Sequence, residues 1–122
     1  MAKIDLLLDT NILIKIWRGD AELEQEINKF GCAIDTVVCL EFLQGVNKKQ
    51  QKRADEFVKR FEFLPFTPMI SQLAVGLIRK FSHKEGLRMP DALIAATALD
   101  LNLPLLTLNK KHFEFINGLD LI

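Results

Sequence analysis

The chain has few of the residues that soft-metal and disulfide chemistry require. It carries two cysteines and two histidines in 122 residues. Cys32 and Cys39, seven apart, match neither a C-x-x-C redox pair nor a zinc knuckle, so buried free thiols in a reducing cytosol are expected. An excess of charge of one sign is also missing, with 16 Lys and Arg against 16 Asp and Glu. Bulk electrostatics therefore predicts neither a nucleic-acid nor a membrane partner, and only the local distribution of charge can argue for one. No apolar run is long enough to span a bilayer: the longest uncharged stretch, 63–78, contains Pro65 and Pro68. "MAKID" reaches an acid too early for a signal peptide, so a soluble cytoplasmic protein is expected. Repeats, low-complexity tracts and linkers are absent, and the length suits one domain over 1–122.

What is present is an alternation of short apolar runs and helical patterns. With 49% hydrophobic and 26% charged residues, the composition is that of a globular domain. "IDLLLD" reads as a buried strand, and "TNILIKIWRG" as a helix stopping at Gly19. Residues 20–31 form a second helix, with acids near its start and Lys29 near its end. "CAIDTVVCLEFLQG" repeats the opening scheme: a strand ending near Asp35 and Thr36, then a helix to Gly45. Ala54, Phe57, Val58 and Phe61 give residues 48–61 one apolar helical stripe. "EFLPF" reads as a strand, and a helix runs from Ile70 to about Gly86. "MPDALIAATALDLN" is apolar nearly all round, which marks a central helix, with Pro90 suited to its first turn. "LPLLTL" reads as a strand, "NKKHFEFI" as a short helical turn and "LDLI" as a last strand. Strands alternating with helices predict an α/β fold, a parallel sheet with helices on both faces.

In such a sheet, ligands bind at the carboxyl edge, and that edge is where the acids fall. Asp9 interrupts "LLLDTNILI" at a strand-to-helix seam, Glu41 lies in the helix after the second strand, and Asp91 opens the central helix. Each has a plainer reading: Asp9 as a helix cap, Glu41 as a solvated charge, Asp91 as a partner of the helix dipole. Leu40, Phe42 and Leu43 around Glu41 suggest an internal face. Asp5 lies roughly 13 Å from Asp9 along the same strand and cannot share an ion with it. Asp100 falls on the opposite side of its helix from Asp91, and Asp35 is kept as a capping or supporting residue. Three carboxylates brought within about 5 Å would repel by about 10 kcal/mol in all at a dielectric of about 20. A hard divalent cation relieves that repulsion, and oxygen-only ligands favour Mg²⁺ or Mn²⁺ over zinc. Such ions are the usual machinery of phosphodiester hydrolysis.

"LLLDTNILI", "TVVCLEFLQG", "PDALIAATA" and "LLTLNKKHF", in this order and spacing, resemble the PIN-domain ribonucleases, particularly VapC-like toxins of toxin–antitoxin pairs, over essentially the whole chain. The resemblance implies a PIN-like three-layer α/β/α sandwich, a metal-dependent endoribonuclease leaving 5′-phosphate and 3′-hydroxyl ends, and an antitoxin partner. Carried over by position, Asp9, Glu41 and Asp91 match the family's acidic metal-binding residues. Thr10, Asn11 and Thr107 match the small polar residues that orient them. Asn109 stands where many members have a fourth acid; it can ligate or hydrogen-bond but brings no charge.

RNA would need cations beside this acidic site. Arg88, Lys110 and Lys111 flank the motifs and are the best placed, with His112 as a further phosphate contact. Lys48, Lys49, Lys52, Arg53, Lys59 and Arg60, and Arg79, Lys80 and Lys84, read equally as solvated helix faces. His83 reads as structural. The surplus apolar positions Ile12, Ile16 and Trp17 are either core or a contact for an antitoxin or a homodimer. Two alternatives remain on sequence: a catalytically weak PIN-like module that binds RNA or protein, or an RNA-processing nuclease that is no toxin. A phosphoryl-aspartate receiver fits less well, because Glu41 lies inside a helix.

Overall fold

Three leucines, Leu6–Leu8, are buried on both faces of the sheet, the mark of a central parallel strand. They form β1 in a computed structural model that describes residues 3–122. β2 (Cys32–Asp35) and β4 (Leu105–Leu106) flank β1, and β3 (Glu62–Leu64) lies outside β2. Every pairing is parallel, with Leu7 opposite both Ala33 and Leu105. Among the described residues, six helices complete an α/β/α arrangement: α1 (Thr10–Trp17), α2 (Ala21–Ile27), α3 (Thr36–Gly45), α4 (Gln51–Val58), α5 (Pro68–Glu85) and α6 (Met89–Leu101). The anticipated alternation of strand and helix is the observed one.

Several boundaries move, each for a local reason. The 48–61 segment is a 3₁₀ turn at Lys48–Gln50 followed by the shorter α4. The Asn47 side chain accepts the Lys49 N–H and tightens the entry, while the Arg60 and Phe61 N–H groups bond three residues back and close the exit. α5 starts at Pro68, not Ile70, because the Thr67 hydroxyl accepts the Ile70 N–H and proline suits the first helical position. It stops at Gly86, which is left-handed at φ 74°. "NKKHFEFI" keeps only a 3₁₀ turn, Lys110–His112. "LDLI" is not a full strand but a single parallel bridge from Leu121 to Leu105. The turn through Gly118 sets only residues 120–122 beside the two-residue β4.

The core is continuous across both faces of the sheet. Leu7, Ile12, Leu13, Ile34, Ile70, Ile94 and Phe113 are all fully buried. α6 packs along α5 and buries Ala92, Ile94, Ala95, Ala96, Thr97 and Ala98, as an all-round apolar helix requires. Ile12 and Ile16 are core residues, and Trp17 is half-buried against Phe42 and Phe57 at 5.4 and 5.3 Å between ring centroids. Both cysteines are free, but only Cys32 is buried. Its thiol donates to the Ile27 carbonyl, and burial pushes its pKa up to about 11; Cys39 is half-buried on the flank of α3.

One glycine is dictated by close approach. A Cβ on Gly31 would lie 1.8 Å from the Lys3 carbonyl oxygen, where the Gly31 carbonyl and N–H also bind the Asp5 backbone N–H and carboxylate. Gly31→Ala is expected to lower stability by about 3 kcal/mol, read as a fall in the thermal midpoint.

Candidate active site

In the order β3-β2-β1-β4, the chain leaves β1 in one direction and returns to its other side for β4. The carboxyl ends of β1 and β4 therefore form a topological switch point, where open α/β sheets bind ligands. Asp9 follows β1 there, buried at 6% exposure. It both caps a helix and faces the site: Oδ1 accepts the Thr10 N–H at 2.8 Å, and Oδ2 accepts the Thr107 hydroxyl at 2.7 Å and the Asn11 amide at 3.3 Å. The Thr107 hydroxyl oxygen accepts the Asn109 N–H, and the Asn11 side-chain Oδ1 accepts the Leu108 N–H. The loop after β4 is thereby tied to the start of α1, and the Asp9 carboxylate is held rigidly.

Glu41 is exposed, contrary to the internal face its neighbours suggested. Successive helical side chains step by about 100°, so Phe42 takes the buried direction, at 2% exposure, and Glu41 turns out toward the cleft. The Thr10 hydroxyl donates to Glu41 Oε1 at 2.6 Å, which joins the α1 and α3 seams. Asp91, in the first turn of α6, is half-buried with its Oδ2 3.5 Å from His112 Nδ1. Burial raises its pKa, the charge of Asp9 raises it further, and Glu41 adds to the same direction against the opposing pull of His112 and Arg88. Three separate segments thus place their carboxylates within each other's field.

Asp9, Thr10, Asn11, Glu41, Arg88, Asp91, Asn109 and His112 line one cleft of about 530 Å³, with Ile14 and Pro90 completing the wall. Thr107 lies buried beneath it. Lys111 opens onto a small adjoining hollow shared with Arg88, Asp91 and His112, whereas Lys110 is exposed and lines neither. Asp5 is occupied at Gly31 and Asp100 is exposed elsewhere. The cations of residues 48–60 line no part of this cleft. Arg53 lies over Trp17, and Arg60 pairs with Glu24.

Asp35 is the supporting residue with the most unusual surroundings. It caps α3 by accepting the Val38 N–H and is fully buried, with Oδ2 3.3 Å from the Thr97 hydroxyl. Burial raises its pKa to about 6 against the lowering effect of those hydrogen bonds. Thr97 had no sequence assignment; a lone hydroxyl in the apolar run "ALIAATAL" was its only signal.

The donor set suits a hard cation. It offers carboxylate, hydroxyl and amide oxygens with no thiolate, and proton affinity at Asp91, raised first by burial, is raised further by the neighbouring Asp9 and Glu41 charges that a cation would offset. Among the described residues no three acidic, histidine or cysteine side chains close around a single point, so the arrangement is looser than a cage. A hard cation among them would keep several of its waters and reach some of the acids through those waters.

The PIN-domain family model matches residues 6–117, from β1 through the loop that carries Thr107 and Asn109. The chain belongs to the PIN-domain family. It is 32% identical over 126 residues to Ribonuclease VapC of Rickettsia bellii, covering 96% of this chain and 94% of that protein. A solved toxin–antitoxin complex from Klebsiella pneumoniae matches this PIN domain with a TM-score of 0.82 at 30% identity, covering 97% of this chain and 96% of that one. VapBC2 from Rickettsia felis, solved bound to a DNA fragment from its promoter, gives a TM-score of 0.79 at 27% identity over 98% of both chains. The expected three-layer PIN-like fold is the fold observed.

Proposed function

We propose that this PIN domain is a metal-dependent endoribonuclease and the toxin of a toxin–antitoxin pair. The observation that carries the reading is the meeting of Asp9, Glu41 and Asp91 in one cleft at the switch point of the sheet. Its relatives' designations as ribonuclease and toxin–antitoxin complex support the substrate class and a protein antitoxin. A homodimer is part of the same proposal, as the resemblance implies.

Asp9, Glu41 and Asp91 would hold Mg²⁺ or Mn²⁺, with Asn109 as a neutral neighbour. A cation bound there supplies charge neutralisation at the phosphate and lowers the pKa of an attacking water. The protein's own part is orientation. Thr107, Asn11 and the Thr10 N–H fix both oxygens of Asp9, and the Thr10 hydroxyl fixes one oxygen of Glu41 and leaves the other free. Arg88, and Lys111 in the adjoining hollow, place positive charge on one rim for the RNA backbone, with His112 beside Asp91 as a further phosphate contact.

The test is cleavage of a mixed RNA pool with Mg²⁺ or Mn²⁺, together with growth on expression. The expected results are metal-dependent cuts with 5′-phosphate ends, and growth arrest relieved by a small protein encoded beside this gene. A folded protein that binds RNA and cuts none of it at any Mn²⁺ concentration would favour the binding module. Cleavage without growth arrest would favour a processing nuclease. Thr107→Val, which removes the shortest hydrogen bond to Asp9, is expected to lower cleavage by about 10–100-fold, read from initial rates at fixed Mn²⁺.

A further inference from the structure

The cleft does not end at Glu41. Ile14 and Glu41 are shared with a second chamber of about 520 Å³, walled by Trp17, Arg18, Phe42, Val46, Asn47 and Gln50. We propose that this second chamber is a nucleobase subsite, in which Trp17 and Arg18 receive the base next to the cleaved phosphate and Gln50 contacts its edge. The proposal rests on the ribonuclease reading and specifies which part of the strand the protein grips.

Three observations support it. Continuity comes first: a strand whose phosphate lies among the carboxylates must place a neighbouring base nearby, and the chamber that shares the Glu41 wall has the volume of a small-molecule site. The lining chemistry comes second. Single-stranded RNA is read by aromatic and guanidinium planes that stack on bases and by polar groups on base edges, and an apolar peptide partner would need neither the Arg18 cation nor the amides. Availability comes third. Gln50 stands at the cap position just before α4 without a side-chain capping bond, and Arg18 at the end of α1 has no ion-pair partner among the described residues. Trp17 is braced by Phe42, Phe57 and Arg53, and Arg53 lines a different hollow.

Trp17 is the sole tryptophan; it borders both this chamber and the hollow lined by Arg53 and Arg60, so its fluorescence reports binding at either, and loss of the response in Arg18→Ala and Gln50→Ala assigns it to this chamber. The experiment titrates short homopolymeric ribo-oligonucleotides into the full chain in EDTA, where no cleavage occurs, beside an abasic ribose-phosphate strand of equal length. Base-bearing strands should quench Trp17 and bind roughly tenfold tighter than the abasic strand. Arg18→Ala and Gln50→Ala, both at the chamber surface, should reduce that difference severalfold. With metal restored, both should raise KM more than they lower kcat and redistribute the cut sites. Trp17→Ala is avoided because it would open the aromatic cluster.

Equal affinity for abasic and base-bearing strands would overturn the proposal, as would unmoved fluorescence or a response only to an arginine-rich peptide. Cleavage with no Trp17 response removes the subsite and leaves the ribonuclease. Base-dependent quenching without cleavage at any Mn²⁺ concentration keeps the subsite and removes the ribonuclease.

Discussion

Asp9→Asn is expected to lower RNA cleavage by about a thousandfold or more while the protein stays folded. The substitution is isosteric, and an amide oxygen can still accept the Thr10 N–H, so the start of α1 keeps its cap. What it removes is a negative charge that is buried at the cleft and fixed by three hydrogen bonds. Electrostatic groups pre-aimed at a reacting centre are worth about 10²–10³ in rate each, and a ligand to a catalytic cation supports its nucleophile as well. The assay is single-turnover cleavage with Mn²⁺, alongside a thermal melt. A variant that cuts at the parent rate would show that the acid at the β1 seam is only a helix cap.

The second large effect concerns stability. Asp35→Asn is expected to make the protein more stable at pH 7.5 and leave it nearly unchanged at pH 4. The unfolded carboxyl titrates near 3.9, and burial raises the folded value to about 6. Between those values the native state keeps a proton that the unfolded chain has lost. The stabilising contribution present below about 3.9 is therefore lost as pH rises through 6, amounting to about 3 kcal/mol. The substituted amide never ionises, can accept the Val38 N–H and can donate to Thr97, so the variant escapes the loss. A rise of roughly 10 °C in the thermal midpoint at pH 7.5 is expected, shrinking as pH falls through 6. Asp35→Ala, with neither the cap nor the Thr97 partner, should lose stability by about 1–2 kcal/mol at pH 4.

Much of this architecture was legible in the sequence because its signals are local and repeated. An apolar triplet followed by Asp-Thr-Asn, and "CAID" followed by an apolar helix, each mark a strand edge, and two such seams in one parallel sheet must share that edge. Asp9 was readable for that reason, and Asp91 because Pro90 marks the first turn of the central helix. Glu41 was found as a candidate, but its exposure was not foreseen, since a run of apolar neighbours conceals which single helical direction leaves the core. Long-range ties left weaker traces. Thr10 meets Glu41 across 31 residues and Thr107 meets Asp9 across 98, distances over which periodicity carries no information. The chamber beyond Glu41 gathers residues from α1, α3 and the entry to α4, and no one segment announces it.

The proposed activity requires Asp9, Glu41 and Asp91 to share a divalent cation, and the most direct test is calorimetric titration of Mn²⁺ into the wild type and into Asp9→Asn, Glu41→Gln and Asp91→Asn. The expected result is Mn²⁺ binding that Mg²⁺ competes away, with protons released near the pH at which Asp91 titrates and affinity falling at least roughly tenfold in each variant. Mn²⁺ binding of equal strength in all four proteins, or none in the wild type, would contradict it.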